Sequence, residues 1–351
     1  MKKIGIITVP YFENFGSVLQ AFALKKYLEK YRQCKADIIP FQPEYQDYIY
    51  FQDLDLQKKY LKKQDLFNQF RKEYLNLLIK SIDESELSNF NYDYYITGSD
   101  QIWNPEITKF HPAYFLDFVK GNKVKIAYAA SMALNPKKQT VNDKMFADLI
   151  PNLDYISIRE KTHQNYLQQF THKKVERVID PTMLLNIEDY SEIISENSDM
   201  KEPYLLLYFL THDSSAVDYG NVLAKKFGLK VIHYFADYPD RVFVNGSKNF
   251  AFAGPKEFLG YVKNASLVFT NSFHGTVFSI LFERPFYTYT ARRDMLSRVL
   301  DLTEMLGLED RRFNSETDLG GLSLDVDFLK TKARIEIERE KAKHFLSEAL
   351  L

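Results

Sequence analysis

The sequence predicts an α/β protein built from two doubly wound domains, each a parallel sheet with helices on both faces, followed by a C-terminal helix. At 351 residues the chain is too long for one ordinary core. Short β-branched and aromatic runs alternate with longer stretches of helical apolar spacing in both halves. Residues 204–210 are apolar throughout, as expected for a strand covered on both faces. We expect domains at 1–190 and 200–320, and a helix at 325–351 packing across them.

Composition narrows the function classes. The 46 Lys and Arg residues balance 47 Asp and Glu residues, so the net charge of -1 lacks the basic excess of nucleic-acid binders. The single Cys34 excludes an internal disulfide and fits a reducing cytoplasm. The first residues run directly into an apolar strand and are too short for a signal peptide. We therefore expect a cytoplasmic protein, with contact at the inner face of the membrane left open.

Cofactor and metal signatures are missing from the sequence. Neither a G-x-G-x-x-G fingerprint nor a P-loop occurs among the 13 glycines, which argues against nicotinamide, flavin and ATP. Asp53-Leu54-Asp55 and Asp325-Val326-Asp327 match the D-x-D of metal-dependent glycosyltransferases in letters only, because neither follows a credible buried strand. We predict no cofactor and no metal.

The first strand, residues 4–9, leads through a polar loop into a helix at about 17–30. Asn14, Gly16 and Gln20 lie near this loop, where parallel sheets bind ligands, although an Asn-Gly turn and a solvated Gln would explain them equally. Residues 45–80 predict one or two amphipathic helices. Their basic residues suit anionic lipid or a lipid-linked substrate, or only a solvated face: Lys58, Lys59, Lys62, Lys63, Arg71 and Lys72.

Two polar positions follow later strands of the first half. The run at 92–97 ends in a turn with Asp100, a candidate carboxylate at the sheet edge, and Trp103; the alternative is a capping Asp and a core Trp. Arg159 follows the strand at 155–158 and is a candidate for binding an anion, or for a structural ion pair with Glu160 or another acid. Further strands are expected at 125–129 and 175–179.

The second half repeats the pattern, with strands at 204–210 and 230–234 and helices at 214–227 and from about Pro255. Residues 268–285 then indicate strand, tight turn and helix, and His274 lies in the turn. Backbone N–H groups at such a helix start are a ready site for an anion, and Gly275 would let a ligand come close. Ser272 and Thr276 would donate hydroxyls. A structural imidazole and simple capping are the alternatives.

Three arginines, Arg292, Arg293 and Arg298, precede a helix predicted at 299–306. Three guanidinium groups this close repel one another without anions nearby, so a phosphate or carboxylate partner is expected. Surface exposure is the alternative.

Several blocks together resemble the polysaccharide pyruvyl transferase family. They are Asn14-Phe15-Gly16-Ser17-Val18-Leu19-Gln20-Ala21, Thr97-Gly98-Ser99-Asp100-Gln101-Ile102-Trp103-Asn104, Tyr128-Ala129-Ala130-Ser131, Ile158-Arg159-Glu160-Lys161, Asp180-Pro181-Thr182 and Ser272-Phe273-His274-Gly275. The resemblance implies two Rossmann-like domains facing across a cleft, as in GT-B glycosyltransferases. It also implies phosphoenolpyruvate as donor and a sugar of a bacterial surface polysaccharide, or its precursor, as acceptor. The acceptor sugar, its linkage to lipid and the oligomeric state stay open.

Family members elsewhere carry R-L-H-G where this chain has Ser272-Phe273-His274-Gly275, and their Arg and His are associated with the donor. His274 carries over, whereas the missing cation would come from Arg159, Arg292, Arg293 or Arg298. We expect His274 as general acid and Asp100 as base for the sugar hydroxyl. The remaining predicted contacts are Ser272, Phe273, Gly275 and Thr276 for the donor, and Asn14, Gly16, Gln20 and Trp103 for the acceptor. Alternatives are a nucleotide-sugar glycosyltransferase and a non-catalytic sugar-binding protein.

Overall fold

A computed structural model describes residues 1–42, 54–77, 81–133, 143–195, 202–237, 247–290 and 297–351. The chain divides into two compact units. The first unit contains the described residues of 1–48 and 68–185, together with residues from Ile335 onward. The second contains the described residues of 49–67 and 186–334.

The first unit is a doubly wound domain around one parallel sheet. Among its described residues the strand order is β2-β1-β3-β4-β5-β6. The strands are β1 (Lys3–Ile7), β2 (Lys35–Ile38), β3 (Tyr94–Thr97), β4 (Val124–Ala130), β5 (Tyr155–Ile158) and β6 (Val175–Arg177). Its helices are α1 (Phe15–Arg32), α3 (Pro105–Thr108), α4 (Asp143–Leu149) and α5 (Lys161–Gln168), and α2 (Leu54–Leu75) is divided between the two units.

The second unit has the same architecture. Its described residues form a parallel sheet in the order β12-β11-β10-β7-β8-β9. The strands are β7 (Tyr204–Phe209), β8 (Lys230–Phe235), β9 (Lys248–Asn249), β10 (Leu267–Thr270), β11 (Phe286–Tyr289) and β12 (Arg312–Phe313). Its helices are α6 (Ile187–Ser191), α7 (Ser214–Phe227), α8 (Pro255–Asn264), α9 (Phe273–Leu281) and α10 (Ser297–Leu306), and α11 (Phe328–Ala349) is divided between the two units. The predicted fold class of two Rossmann-like domains is confirmed.

The burial of β7 agrees with its apolar sequence. All six residues of the strand are buried. On one face Leu207 lies beneath Gly220 of α7, where an added Cβ would come within 2.8 Å of the leucine side chain. On the other face the Tyr208 ring packs on Phe258 of α8 at 5.0 Å. Because helices cover both faces, the strand needs no polar side.

The start of α1 explains a small difference from the sequence prediction. The helix begins at Phe15 rather than near Ser17, because the Asn14 side chain accepts a hydrogen bond from the Ser17 N–H and caps the first turn. Gly16 therefore lies inside the helix, and it is buried. The predicted loop is correspondingly shorter.

Two helices contribute residues to both units. In α2, residues 54–67 are grouped with the second unit, where Lys63 Nζ donates to the Tyr234 hydroxyl, and residues 68–75 are grouped with the first. The sequence expectation assigned all of 1–190 to one domain. In α11, residues from Ile335 belong to the first unit. Within the described chain, none of the helices combines the length and apolarity needed to cross a bilayer.

The strand order shows where, in each sheet, the chain stops adding strands on one side and begins to add them on the other. In the first unit the chain continues from β1 to β2 on one side and then crosses to β3 on the other. In the second unit it continues from β7 through β8 to β9 and then crosses to β10. Ligands of such sheets bind beyond the carboxyl ends of the strands that flank this reversal. The segments after β1 and β3, and after β7 and β10, are therefore the places to search.

Candidate functional site

In the first unit, a tight turn after β3 positions Asp100. The backbone φ is +123° at Gly98 and +68° at Asp100. A side chain at Gly98 would also place its Cβ 2.2 Å from the Tyr128 carbonyl oxygen, so only glycine fits. The Ser131 N–H donates to the Asp100 carbonyl oxygen at 3.0 Å. The turn thus fixes Asp100 beside the end of β4.

Asp100, Arg159, Glu160, His163 and Asp180 form a buried cluster that we call the Arg159 network. The guanidinium lies 2.5 Å from Asp180, 3.5 Å from Glu160 and 3.8 Å from Asp100. His163 Nδ1 lies 3.7 Å from a Glu160 oxygen. One guanidinium thus faces three carboxylates at the carboxyl ends of neighbouring strands.

The pKa shifts in this network follow from its mutual pairing. Burial alone would lower the pKa of Arg159, but Asp180, Glu160 and Asp100 outweigh it and raise the pKa above its ordinary value. Burial likewise favours the neutral form of Glu160. The neighbouring His163 and the Arg159 charge outweigh that effect, so the pKa of Glu160 falls below its ordinary value. Both groups therefore stay charged inside the protein.

Hydroxyl and amide groups extend the network toward β1. Ser131 Oγ donates to Glu160 at 2.5 Å. The Ser99 N–H donates to the Gln20 side-chain oxygen at 3.0 Å, and Gln20 Nε2 donates to the Thr8 hydroxyl at 2.9 Å. The Thr8 hydroxyl donates in turn to the Ser99 carbonyl oxygen. These bonds hold the segments after β1 and β3 together at the sheet reversal.

In the second unit, α9 begins directly after β10. Ser272 caps the helix by accepting a hydrogen bond from the Gly275 N–H at 3.2 Å, and the Thr276 hydroxyl donates to the Ser272 carbonyl oxygen. The N–H groups of Phe273 and His274 precede the first intrahelical bonds and point beyond the helix end. His274 is 6% exposed and lies in this first turn. The helix start therefore combines backbone donors and an imidazole.

Gly275 serves close packing rather than the ligand approach we expected. A Cβ at this position would lie 2.6 Å from the Thr270 hydroxyl oxygen and 2.7 Å from the Tyr208 ring. The space above Gly275 is filled by β7 and β10. This glycine lets α9 sit low on the sheet, and the N-terminal turn is thereby brought to the strand ends.

Of the three arginines predicted before α10, Arg298 lies near the start of α9. Arg298, the second residue of α10, is buried, and its guanidinium carbon lies 6.0 Å from the centre of the Phe273 ring. Phe273 in turn contacts the His274 ring at 5.1 Å. The structure thus groups Arg298 with the start of α9. Arg292 and Arg293 lie outside the described residues.

Four residues predicted to contact substrate have other roles in the structure. Trp103 is completely buried, stacks on Phe115 and donates its indole N–H to the Tyr114 carbonyl oxygen, so we remove it from the acceptor site. Gln20 is also fully buried and its amide joins two loops. Gly16 is buried in α1. Arg159 faces three carboxylates of its own unit, which matches the ion-pair alternative.

The basic residues predicted to form one face of α2 are partly exposed and partly buried. Lys58, Lys59, Lys62 and Lys72 are exposed, whereas Lys63 and Arg71 are buried. Arg71 donates to the carbonyl oxygens of Pro10, Tyr11 and Phe12, three consecutive residues after β1. Arg71 thus fixes the loop that leads to Asn14 and is no part of a lipid-facing surface.

The sequence reasoning missed Asp180 and His163 as members of the charged cluster. Asp180 stands in a block that carries the family resemblance, but the sequence assigns it no role of its own. Asp180 contacts Arg159 and Ser99, which come from other blocks, 21 and 81 residues away. The occurrence of Asp, Arg-Glu and Ser in separate blocks after successive strands was the available signal.

Comparison with known proteins identifies the family. The model of the polysaccharide pyruvyl transferase family matches residues 14–291, which include Asp100, the rest of the Arg159 network and His274. The chain belongs to the polysaccharide pyruvyl transferase family. Arg298 lies beyond the matched residues. No curated protein sequence is significantly similar to the chain.

Solved structures agree with the fold. S. aureus MnaA, solved with UDP, is similar with a TM-score of 0.51 at 14% identity, covering 99% of this chain and 91% of that one. A Listeria monocytogenes protein assigned as a UDP-N-acetylglucosamine 2-epimerase has a TM-score of 0.52 at 10% identity, covering 96% and 90%. At such identities the likeness establishes the two-domain, GT-B type of fold alone.

Proposed function

We propose that this member of the family transfers the pyruvyl group of phosphoenolpyruvate to two hydroxyls of a sugar, forming a ketal on a bacterial surface polysaccharide or its precursor. One observation carries the proposal beyond family membership. The start of α9 gathers backbone N–H donors, His274 and, beside Phe273, the Arg298 guanidinium. Such a helix terminus with a nearby cation suits a small phosphorylated acid.

Charge supports placing the donor in the second unit. Phosphoenolpyruvate carries both a phosphate and a carboxylate. The Arg159 network already has three carboxylates around its guanidinium, so further negative charge there would be repelled. At the start of α9 the helix dipole and Arg298 both favour an anion. A neutral sugar fits the edge near Asp100 better, because hydroxyls donate hydrogen bonds to a carboxylate.

The reaction balances without a cofactor. The methylene carbon of phosphoenolpyruvate gains one proton and becomes a methyl group. C2 forms bonds to two sugar oxygens, and its bond to the phosphate oxygen breaks. The two hydroxyl protons lost by the sugar are thus accounted for, one on the methyl group and one on the released phosphate.

We assign proton transfer to two residues. His274 is the general acid for the methylene carbon or the departing phosphate, and Asp100 is the base for a sugar hydroxyl. Preorganised N–H groups at the start of α9 stabilise charge that develops on the donor. Ser272 and Thr276 act indirectly, since their hydroxyls shape this helix turn.

Phosphate release from phosphoenolpyruvate is the direct test. The 351-residue chain is incubated with galactose, mannose, glucose and N-acetylhexosamine acceptors, free and lipid-linked, and products are examined by NMR for a ketal methyl group. We expect acceptor-dependent phosphate and the methyl signal. Thermal stabilisation by nucleotide sugars, without any phosphate release, would favour a glycosyltransferase instead. Phosphate release with any acceptor would exclude a non-catalytic protein.

Arg298→Gln tests the donor location. Losing a charge-assisted contact of about 1.5–3 kcal/mol should raise the KM for phosphoenolpyruvate roughly tenfold to hundredfold. Arg312→Gln is the matched control, because the Arg312 guanidinium donates to Thr303 and the Leu300 carbonyl oxygen, within its own unit. An unchanged KM in the Arg298 variant would remove Arg298 from the donor site.

A further inference from the structure

Asp180 uses both carboxylate oxygens inside the first unit. The residue is 1% exposed. Oδ1 accepts the Thr182 N–H at 3.0 Å and the Thr182 hydroxyl at 2.6 Å. Oδ2 lies 2.5 Å from Arg159 Nη1 and 3.5 Å from Ser99 Oγ. Thr182 therefore orients the carboxylate, and the oriented carboxylate in turn positions Arg159 and Ser99.

We propose that Asp180 is a positioning residue, which acts through Arg159 to hold the turn of Ser99 and Asp100 in its working geometry. The proposal rests on the proposed function, in which Asp100 is the base for the sugar hydroxyl. Asp180 is buried behind the turn and does not itself touch substrate. It was not among the residues that the sequence assigned to a site.

The turn needs such support because its backbone is unfavourable. Asp100 has a φ of +68°, in the left-handed region that costs a non-glycine residue energy. Conformations of this kind persist where their surroundings fix them. Ser99 Oγ donates to the Ala129 carbonyl oxygen at 2.6 Å and faces Asp180, while Arg159 Nη2 faces the Asp100 carboxylate at 3.8 Å.

Asp180 binds one end of the Arg159 guanidinium directly. Its contact at 2.5 Å is the shortest of the three carboxylate contacts, and it involves a different nitrogen from the one that faces Asp100. A planar guanidinium bound at Nη1 by Asp180, with Glu160 3.5 Å from Nε, has the direction of its Nη2 constrained. Asp180 and Asp100 are thereby coupled through one rigid group.

A double-mutant cycle tests this coupling. Asp180→Asn keeps the size of the side chain and an oxygen for Thr182 but removes the charge that faces Arg159. Asp180→Asn and Arg159→Gln should each lower kcat by about a hundredfold, as expected for a displaced catalytic group, with KM for phosphoenolpyruvate within about threefold of wild type. Because both changes break the same Asp180–Arg159 contact, the double variant should be no more than about threefold slower than the slower single variant.

Asp189→Asn is the matched control. Asp189 is also 1% exposed and accepts a helix-capping bond from the Asn186 N–H, but it belongs to the second unit. We expect its effect on kcat to be small and to multiply with that of Arg159→Gln. Multiplicative losses for Asp180→Asn with Arg159→Gln would overturn the proposal. So would a loss confined to a raised KM for phosphoenolpyruvate, which would make Arg159 a donor ligand.

Two further measurements test the proposal if Asp180→Asn folds poorly or if the wild-type protein shows no activity. Thr182→Val removes the hydroxyl that orients Asp180 and should give a smaller loss of kcat in the same direction. Amide hydrogen exchange of residues 98–101 reports the turn without any assay of activity. Exchange there should accelerate in Asp180→Asn and stay at the wild-type rate in Asp189→Asn. Unchanged exchange overturns the positioning role, whereas absent phosphate release in wild type overturns only the proposed reaction.

Discussion

The carboxyl edges of the two sheets share a topology but differ in chemistry. At the first edge, the Arg159 network buries three carboxylates around a guanidinium, and hydroxyl and amide groups bind its members together. At the second, α9 starts among aromatic rings and hydroxyls, with a helix terminus and Arg298 supplying positive potential. One strand-loop-helix plan thus yields an edge suited to hydroxyl donors and an edge suited to anions. Our proposed placement of donor and acceptor rests on this difference in charge.

The largest effect is expected at the second edge, from the loss of His274. Removing a positioned general acid costs roughly 10²–10⁴ in rate, so His274→Ala should lower kcat for phosphate release by that factor. His344→Ala, on the exposed face of α11, is the control and should retain full activity. Thermal melting checks that both variants fold. Near-normal turnover in folded His274→Ala would refute the assignment of the acid.

Glu160→Gln tests how much the Arg159 network contributes to the free energy of unfolding. Removing one partner from a buried ion pair costs about 3–5 kcal/mol, which urea unfolding at pH 7 should detect. Because the pKa of Glu160 is lowered from 4.5 on folding, its contribution is present above pH 4.5 and is lost as pH falls through the folded-state value. The difference between variant and wild type should therefore shrink below about pH 4.5.

Glu336→Gln provides the exposed counterpart of that change. Glu336 pairs with Arg339 at 2.6 Å on α11, but its side chain is about half exposed, so its loss should cost under about 1 kcal/mol. If both variants lose the same small amount at pH 7, the Arg159 network does not hold the first edge electrostatically.

A smaller effect tests how the second edge is held. Gly275→Ala would place a Cβ 2.6 Å from Thr270 and 2.7 Å from Tyr208, and overpacking of this kind costs about 1–3 kcal/mol. Gly321→Ala is the control, because its nearest neighbour is the mobile end of Asp318 at 3.2 Å. Calorimetric melting should show a lower Tm only for Gly275→Ala. Equal Tm values would mean that α9 can move off the sheet without cost.

Sequence reasoning succeeded where the signal is local. The strand at 155–158 and the helix at 214–227 coincide with β5 and α7, since apolar runs and helical spacing are local; in the structure Asp213 and Gly228 cap α7. The strand, turn and helix around His274 were likewise predictable. In each case a few neighbouring residues determine the structure.

Non-local pairings could not be predicted in the same way. The contact of Arg159 with Asp180 exists because β5 and β6 lie side by side, and sequence separation gives no register. The helical pattern of α2 likewise does not reveal that residues 54–67 pack with the second unit. Gly275 was assigned to ligand approach because a glycine in a turn looks the same whether a ligand or a neighbouring strand occupies the space.

The three carbonyl contacts of Arg71 have a practical consequence for exchanging segments between relatives. The residues after β1 take their shape from a guanidinium some sixty positions later in the chain. A chimaera that imports α2 without the loop from Pro10 to Phe12, or the loop without α2, would separate a donor from its acceptors. The two pieces should be transplanted together, as a single inherited block.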